Sequence, residues 1–263
     1  MHFFKRILSN FTLKFNKMEN YNSRGTNIDK IEYATVVGSN TLLRSVFSWM
    51  TAALVITTIS SMLFAFVPGL VQMLFTQTAE GGFKLSIFAW IVMFAPLGFV
   101  LLMSFGFNKL SYPALIGVFL AYAAVNGISL SFIFMVYSLG SILNVFLSTV
   151  ALFAIMAIAG YTTKTDLTKM GNILMIGLFG IVIASLINIF MKSDTMSFVT
   201  SILGVIIFTG LTAWDVQKIK RMAAEDDGST TFKKMSIMGA LTLYLDFINI
   251  FLYLLRLFGG KRD

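Results

Sequence analysis

Residues 235–258 read MSIMGALTLYLDFINIFLYLLRLF, an apolar run that carries Asp246 near its middle. A run of about 20 apolar residues crosses the ~30 Å hydrocarbon layer as a helix, so this stretch predicts a transmembrane helix. An acid at such a depth costs about 2.5–3.5 kcal/mol on insertion scales, and it faces a bundle interior or a wet cavity rather than lipid. A rise of about 1.5 Å per residue puts Asp246 roughly 18 Å in from Lys234. Thr242, Asn249 and Tyr253 share its helix face and make a candidate polar pathway. Hydrogen bonding between helices is the plainer use of the Thr and Asn groups.

The preceding apolar run, 196–217, ends in LTAWDVQ and contains Asp215. Of the 12 acidic residues, only Asp215 and Asp246 fall inside apolar blocks. Lys218, Lys220 and Arg221 follow Asp215 closely, which leaves two readings of it: an acid in the bundle, or one at a helix end paired with a lysine. The two acids meet only if tilt, or a longer sixth helix running toward Met222, levels their depths.

The chain has 263 residues, 57% hydrophobic and 12% charged. An ordinary soluble domain carries about 25% charge, and a soluble protein of this composition lacks the polar surface to cover itself. Seven blocks are long enough to span a membrane: 46–67, 84–105, 113–137, 141–160, 170–191, 196–217 and 235–258. The expected fold is therefore all-α, a polytopic integral membrane protein. It has a polar basic arm over 1–45, one transmembrane domain over 46–258 and a short tail over 259–263. Pro96 is expected to kink the second helix. Asn126 and Asn188 are polar groups within spans, available for a pore or for interhelical hydrogen bonds.

There is no cysteine, which excludes disulfides, thiolate metal sites and cysteine nucleophiles. The one histidine is His2, at the chain start, so histidine-dependent hydrolysis and zinc proteolysis inside the membrane are excluded too. The net charge of +8 sits beside the apolar blocks, as topology signals do, and does not point to nucleic acid. With the N-terminus cytoplasmic, all but Lys84, Lys192, Arg256, Lys261 and Arg262 of the 20 basic residues lie on the cytoplasmic side. Seven full spans then put the C-terminus outside, whereas a last block that dips and returns puts it inside. Residues 1–15, MHFFKRILSNFTLKF, read as a weak amphipathic surface helix, or else translation starts at Met18.

Should Asp215 and Asp246 meet, desolvation and repulsion both disfavour two ionised carboxylates, so the pair should keep a proton and titrate as one unit. Gain or loss of that proton is a pH switch for any helix it biases. Ionised, the pair is a hard oxygen site suited to transient calcium.

The motifs IIFTGLTAWDVQKIK at 206–220 and ALTLYLDFINIFLYLLRLFG at 240–259 resemble the Bax inhibitor-1 family of transmembrane Bax inhibitor motif proteins. VNGISLSFIF at 125–134 and LLRSVFSWMTAALVIT at 42–57 support the resemblance, which covers about residues 40–260. It implies seven helices with the last enclosed by the other six, and a pH-sensitive passive calcium leak. In the resemblance Asp215 and Asp246 are the family's two transmembrane acids, and Gln217 loosely matches an Asp-x-x-Gln-like element. Trp214 stands where tyrosine is common, and EDDGSTTFKK lengthens the sixth connector.

The expected function is thus a cation leak gated by the two aspartates, with calcium as permeant or transiently bound ion and no cofactor. Lys109 is the candidate latch for an ionised Asp215, with Arg44 the other basic residue near the cytoplasmic helix ends. No catalysis is expected. An alternative is a regulatory partner of a membrane protease or channel. An intramembrane aspartyl protease fits poorly: here WD and LYLD replace the YD and GxGD of that class, and Pro113, Ala114 and Leu115 precede both acids instead of following them. A bacterial inner membrane is the expected location.

Overall fold

The computed structural model describes the backbone of residues 28–77, 82–224 and 229–260, and side chains from residue 41 onward within them. The proposed surface helix and the Met18 start lie outside the described residues. Helix α1 runs Ile28–Phe66 and α2 runs Pro68–Leu74. Strands β1 (Phe75–Gln77) and β2 (Phe83–Leu85) follow, then α3 (Ile87–Gly106), α4 (Tyr112–Leu130), the single turn α5 (Ile133–Val136) and α6 (Leu139–Thr162). The chain ends with α7 (Thr168–Met191), α8 (Asp194–Ala223) and α9 (Thr230–Phe258). Among the described residues there are seven candidate spans: Thr41–Phe66 of α1, α3, Tyr112–Val136 across α4 and α5, and α6 to α9.

Serines set the starts. Ser86, Ser111, Ser138, Ser193 and Ser229 each accept a hydrogen bond through their side chain from the amide three residues on, capping α3, α4, α6, α8 and α9. The second span consequently begins at Ile87 rather than at 84. Residues 83–85 pair instead as β2, antiparallel to β1, with Phe75 opposite Leu85 and Gln77 opposite Phe83. Ser86 also donates to the Met73 carbonyl at 2.6 Å, tying this hairpin to α2. Helix α3 continues through Pro96. Helix α7 stops where Lys192 turns left-handed at φ 50°, and there Asn188 serves the turn: its carbonyl oxygen accepts from the Ser193 amide and its NH2 donates to Ser197.

Helix α9 is the axis of the bundle. Two-thirds of its span (67%) is buried, against 6% to 39% for the other six. It packs chiefly on α8, α1, α6 and α4, while α3 lies outside against α4 and α7 outside against α8. The expected ring of six is therefore mainly a ring of four with two outer helices. The outer pair stays apolar toward its surroundings, with Ile91 60%, Phe94 64%, Ile176 73% and Phe190 87% exposed, as helices in hydrocarbon require. Together these features make the chain an integral membrane protein.

Candidate functional site

Helix α8 runs two turns past Asp215 to Ala223, and this extension brings Asp215 level with Asp246 on the antiparallel α9. The two carboxyl groups lie beside each other within hydrogen-bond reach, 7% and 4% exposed. A hydrogen bond between two carboxyl groups needs one proton on the pair, and removal from water disfavours ionising both. Asp246 Oδ2 is buried and accepts no hydrogen bond from an N–H or hydroxyl group among the described residues.

The cation acting on Asp215 is Lys218, one turn along the same helix. Its Nζ lies 4.7 Å above the Trp214 ring. That ring covers Gly171 so closely that a Cβ there would collide with it, which holds α7 against α8. Lys109, the expected latch, is exposed in the turn after α3, and Arg44 is exposed on α1. Lys234 Nζ donates to the Phe107 carbonyl at 3.3 Å, so the Lys109 turn sits near the start of α9, about four turns from Asp246.

The expected polar pathway divides. Thr242 donates to the Met238 carbonyl (3.0 Å) and Asn249 to the Leu245 carbonyl (2.8 Å), so both satisfy themselves on their own helix. Tyr253 reaches Ser185 of α7, lies 6.0 Å from the Phe208 ring and carries Arg256 over its face at 5.5 Å. All three are partly buried beside the Asp246 face.

Two further clusters flank the pair. Tyr244, fully buried, accepts from Asn126 Nδ2 at 2.8 Å and lies 2.7 Å from Thr57 Oγ1. Thr57 gives its proton to the Ala123 carbonyl at 2.9 Å, so the tyrosine donates to Thr57. Asn126 is thereby a crosslink between α4 and α9. A tyrosine in mid-span signals such a partner, because its hydroxyl is rarely left unpaired when buried. Below Asp215, Gln217 accepts from the Leu167 amide (2.9 Å) and donates to the Thr165 carbonyl (2.8 Å), clamping the α6–α7 connector onto α8. Arg221 extends the clamp by a 2.7 Å ion pair with Asp166. Hydrogen bonds from Thr168 first, then Arg221, hold the Asp166 carboxyl well below the usual carboxylate range.

A family model described as "Inhibitor of apoptosis-promoting Bax1" matches residues 39–263. The chain is 41% identical over 227 residues to the inner membrane protein YbhL of Escherichia coli K12, covering 86% of this chain and 94% of that one. It is 40% identical over 226 residues to an uncharacterized protein of Rickettsia prowazekii, covering 86% and 92%. An uncharacterized membrane protein of Streptococcus pyogenes is 44% identical over 154 residues, covering 59% and 67%.

Proposed function

We propose, on the premise that this chain belongs to the Bax inhibitor-1 family, that it is a passive cation leak, with calcium as the permeant ion, gated by the protonation state of Asp215 and Asp246. The observation that supports this reading is the buried contact of Asp215 and Asp246, two acids within the spans among the described residues, with Asp246 Oδ2 accepting no N–H or hydroxyl donor there. With one proton shared, the pair ties α8 to α9. Without it, two anions face each other at low dielectric, repel, and favour a cation between them. Lys218, rather than Lys109, is then the charge that opposes an ionised Asp215.

Calcium takes six to eight oxygen ligands, and two carboxylates supply at most four, so water completes the shell and the ion passes rather than resides. The cytoplasmic N-terminus and the bacterial inner membrane complete the reading, the latter supported by the name of the Escherichia coli relative. The experiment is calcium flux into dye-loaded liposomes holding the purified protein, from mildly acidic to mildly alkaline pH. Wild type should show pH-dependent flux that Asp215→Asn or Asp246→Asn flattens. Flux no greater than in protein-free liposomes at every pH would overturn the leak.

A further inference from the structure

Helices α1 and α6 both pack on α9, and a groove of about 540 Å³ lies between them. That volume is within the range of sites that hold small ligands. Phe47, Thr51 and Val55 form one wall, Val150 and Ala154 the other, and Phe247 of α9 is the floor. Thr58, also on the α1 wall, turns its hydroxyl back to the Leu54 carbonyl at 2.8 Å, so it offers little polarity to an occupant.

Three observations identify what fills the groove. It opens sideways between two membrane spans, with Val55 51% and Val150 42% exposed at its lips, so the medium entering it is hydrocarbon. From Phe47 to Ile59 it follows α1 for roughly 18 Å, about the depth of one leaflet of a ~30 Å core. Its end near the start of the span carries headgroup chemistry. Arg44 is exposed three residues before Phe47 and seven before Thr51, on the same helix face. Tyr161 continues the α6 wall one turn past Ala157, and Lys220 Nζ sits 4.6 Å over its ring and 2.7 Å from its carbonyl oxygen. Basic and aromatic side chains together mark the lipid headgroup level.

We propose that this groove is a binding site for one acyl chain of a bilayer phospholipid, whose phosphate is met by Arg44. An anionic headgroup is preferred, because Arg44 and Lys220 place positive charge at that end. The floor residue Phe247 directly follows Asp246 on α9, so the lipid seat and the aspartate pair lie on the same turn of one helix.

The test uses the full chain in phosphatidylcholine vesicles containing a trace of phosphatidylglycerol with a photoactivatable group in its acyl chain. Adducts are mapped by peptide mass spectrometry. They should concentrate on the groove walls of α1 and α6 over the face of α7, although α7 is the more exposed helix, 6% buried against 22% and 28%. Val55→Trp and Ala154→Trp, which fill the groove from opposite sides, should each lower groove labelling several-fold and leave α7 labelling unchanged. Arg44→Gln, a surface change, should lower phosphatidylglycerol labelling of the groove about fivefold, the effect of one basic residue at an anionic surface, and lower labelling by a zwitterionic phosphatidylcholine probe by less. Wild-type labelling no denser in the groove than on α7 would overturn the site, as would cross-links showing a second copy of the chain seated there. Should both tryptophan variants fail to fold, the wild-type map and Arg44→Gln still decide.

Discussion

Gly160 of α6 lies against the backbone of Ala213 of α8, so close that a Cβ at 160 would collide with the Ala213 carbonyl oxygen and Cα. Backbone cannot yield as a side-chain tip does, so this contact fixes the spacing of two helices two residues before Asp215. Gly160→Val should therefore cost about 1–3 kcal/mol by overpacking, read as a lower thermal midpoint in detergent by circular dichroism. Gly117 of α4 has open space around it, so Gly117→Ala should leave the midpoint unchanged or raise it, since alanine favours a helix interior by roughly 0.5–1 kcal/mol over glycine. Equal losses from both substitutions would show that the close contact is not what matters.

The Tyr244 hydroxyl links α1, α4 and α9 through Thr57 and Asn126. Tyr244→Phe leaves the Asn126 NH2 without this acceptor inside the bundle, at a cost of about 1–3 kcal/mol. Adding Asn126→Leu removes the orphaned donor, so the double variant should be less destabilised than the sum of the two single changes. Thermal unfolding of the four proteins measures this, and strict additivity would mean that the two side chains are not coupled.

The spans were legible because apolar blocks of bilayer length carry their own signal: the expected 170–191 is found as Thr168–Met191 and 235–258 lies within Thr230–Phe258. Their ends were not, because serine caps such as Ser86 and Ser229 act on single amides that block hydropathy averages away. The hairpin at 75–85 was illegible for a related reason, since two strands of three residues are too short to show a period. Asp215 and Asp246 stood out because acids are rare in apolar blocks. Their contact depended on how far α8 continues, which no local pattern fixes. The Gln217 clamp and the Tyr244 crosslink join residues 52 and 118 positions apart. Such pairings belong to packing, and only the mid-span tyrosine hinted at one.

Asp166 provides an internal control for the proposed pH response. Its carboxyl is held well below the usual range, chiefly by Thr168. A depressed folded-state value means that its stabilisation is fully present above the ordinary carboxylate range and is lost only as pH falls through the lower value. Between mildly acidic and mildly alkaline pH it therefore stays ionised and contributes no pH dependence. Asp166→Asn should loosen the clamp on the α6–α7 connector, seen as faster hydrogen exchange at the Leu167 amide, while the pH profile of calcium flux keeps its midpoint. A shifted midpoint would place the sensor at this exposed ion pair.

The last expectation concerns how the two membrane acids combine. In the proposed gate the two carboxyl groups share one proton, so neither titrates alone and the protonation step belongs to the pair. Asp215→Asn and Asp246→Asn each remove one member while keeping its size. Each should flatten the pH dependence of flux, and the double variant should be little different from either single one. Two independent sensors would behave otherwise, each single variant keeping part of the response and the double losing the rest. Lys218→Gln separates the gate from its surroundings. It removes a positive charge that favours ionised Asp215 without touching the shared proton, so the flux profile should move along the pH axis and keep its amplitude. A Lys218→Gln profile as flat as that of Asp215→Asn would make the lysine part of the gate itself, and flux measured at matched protein density in the same liposomes distinguishes the two.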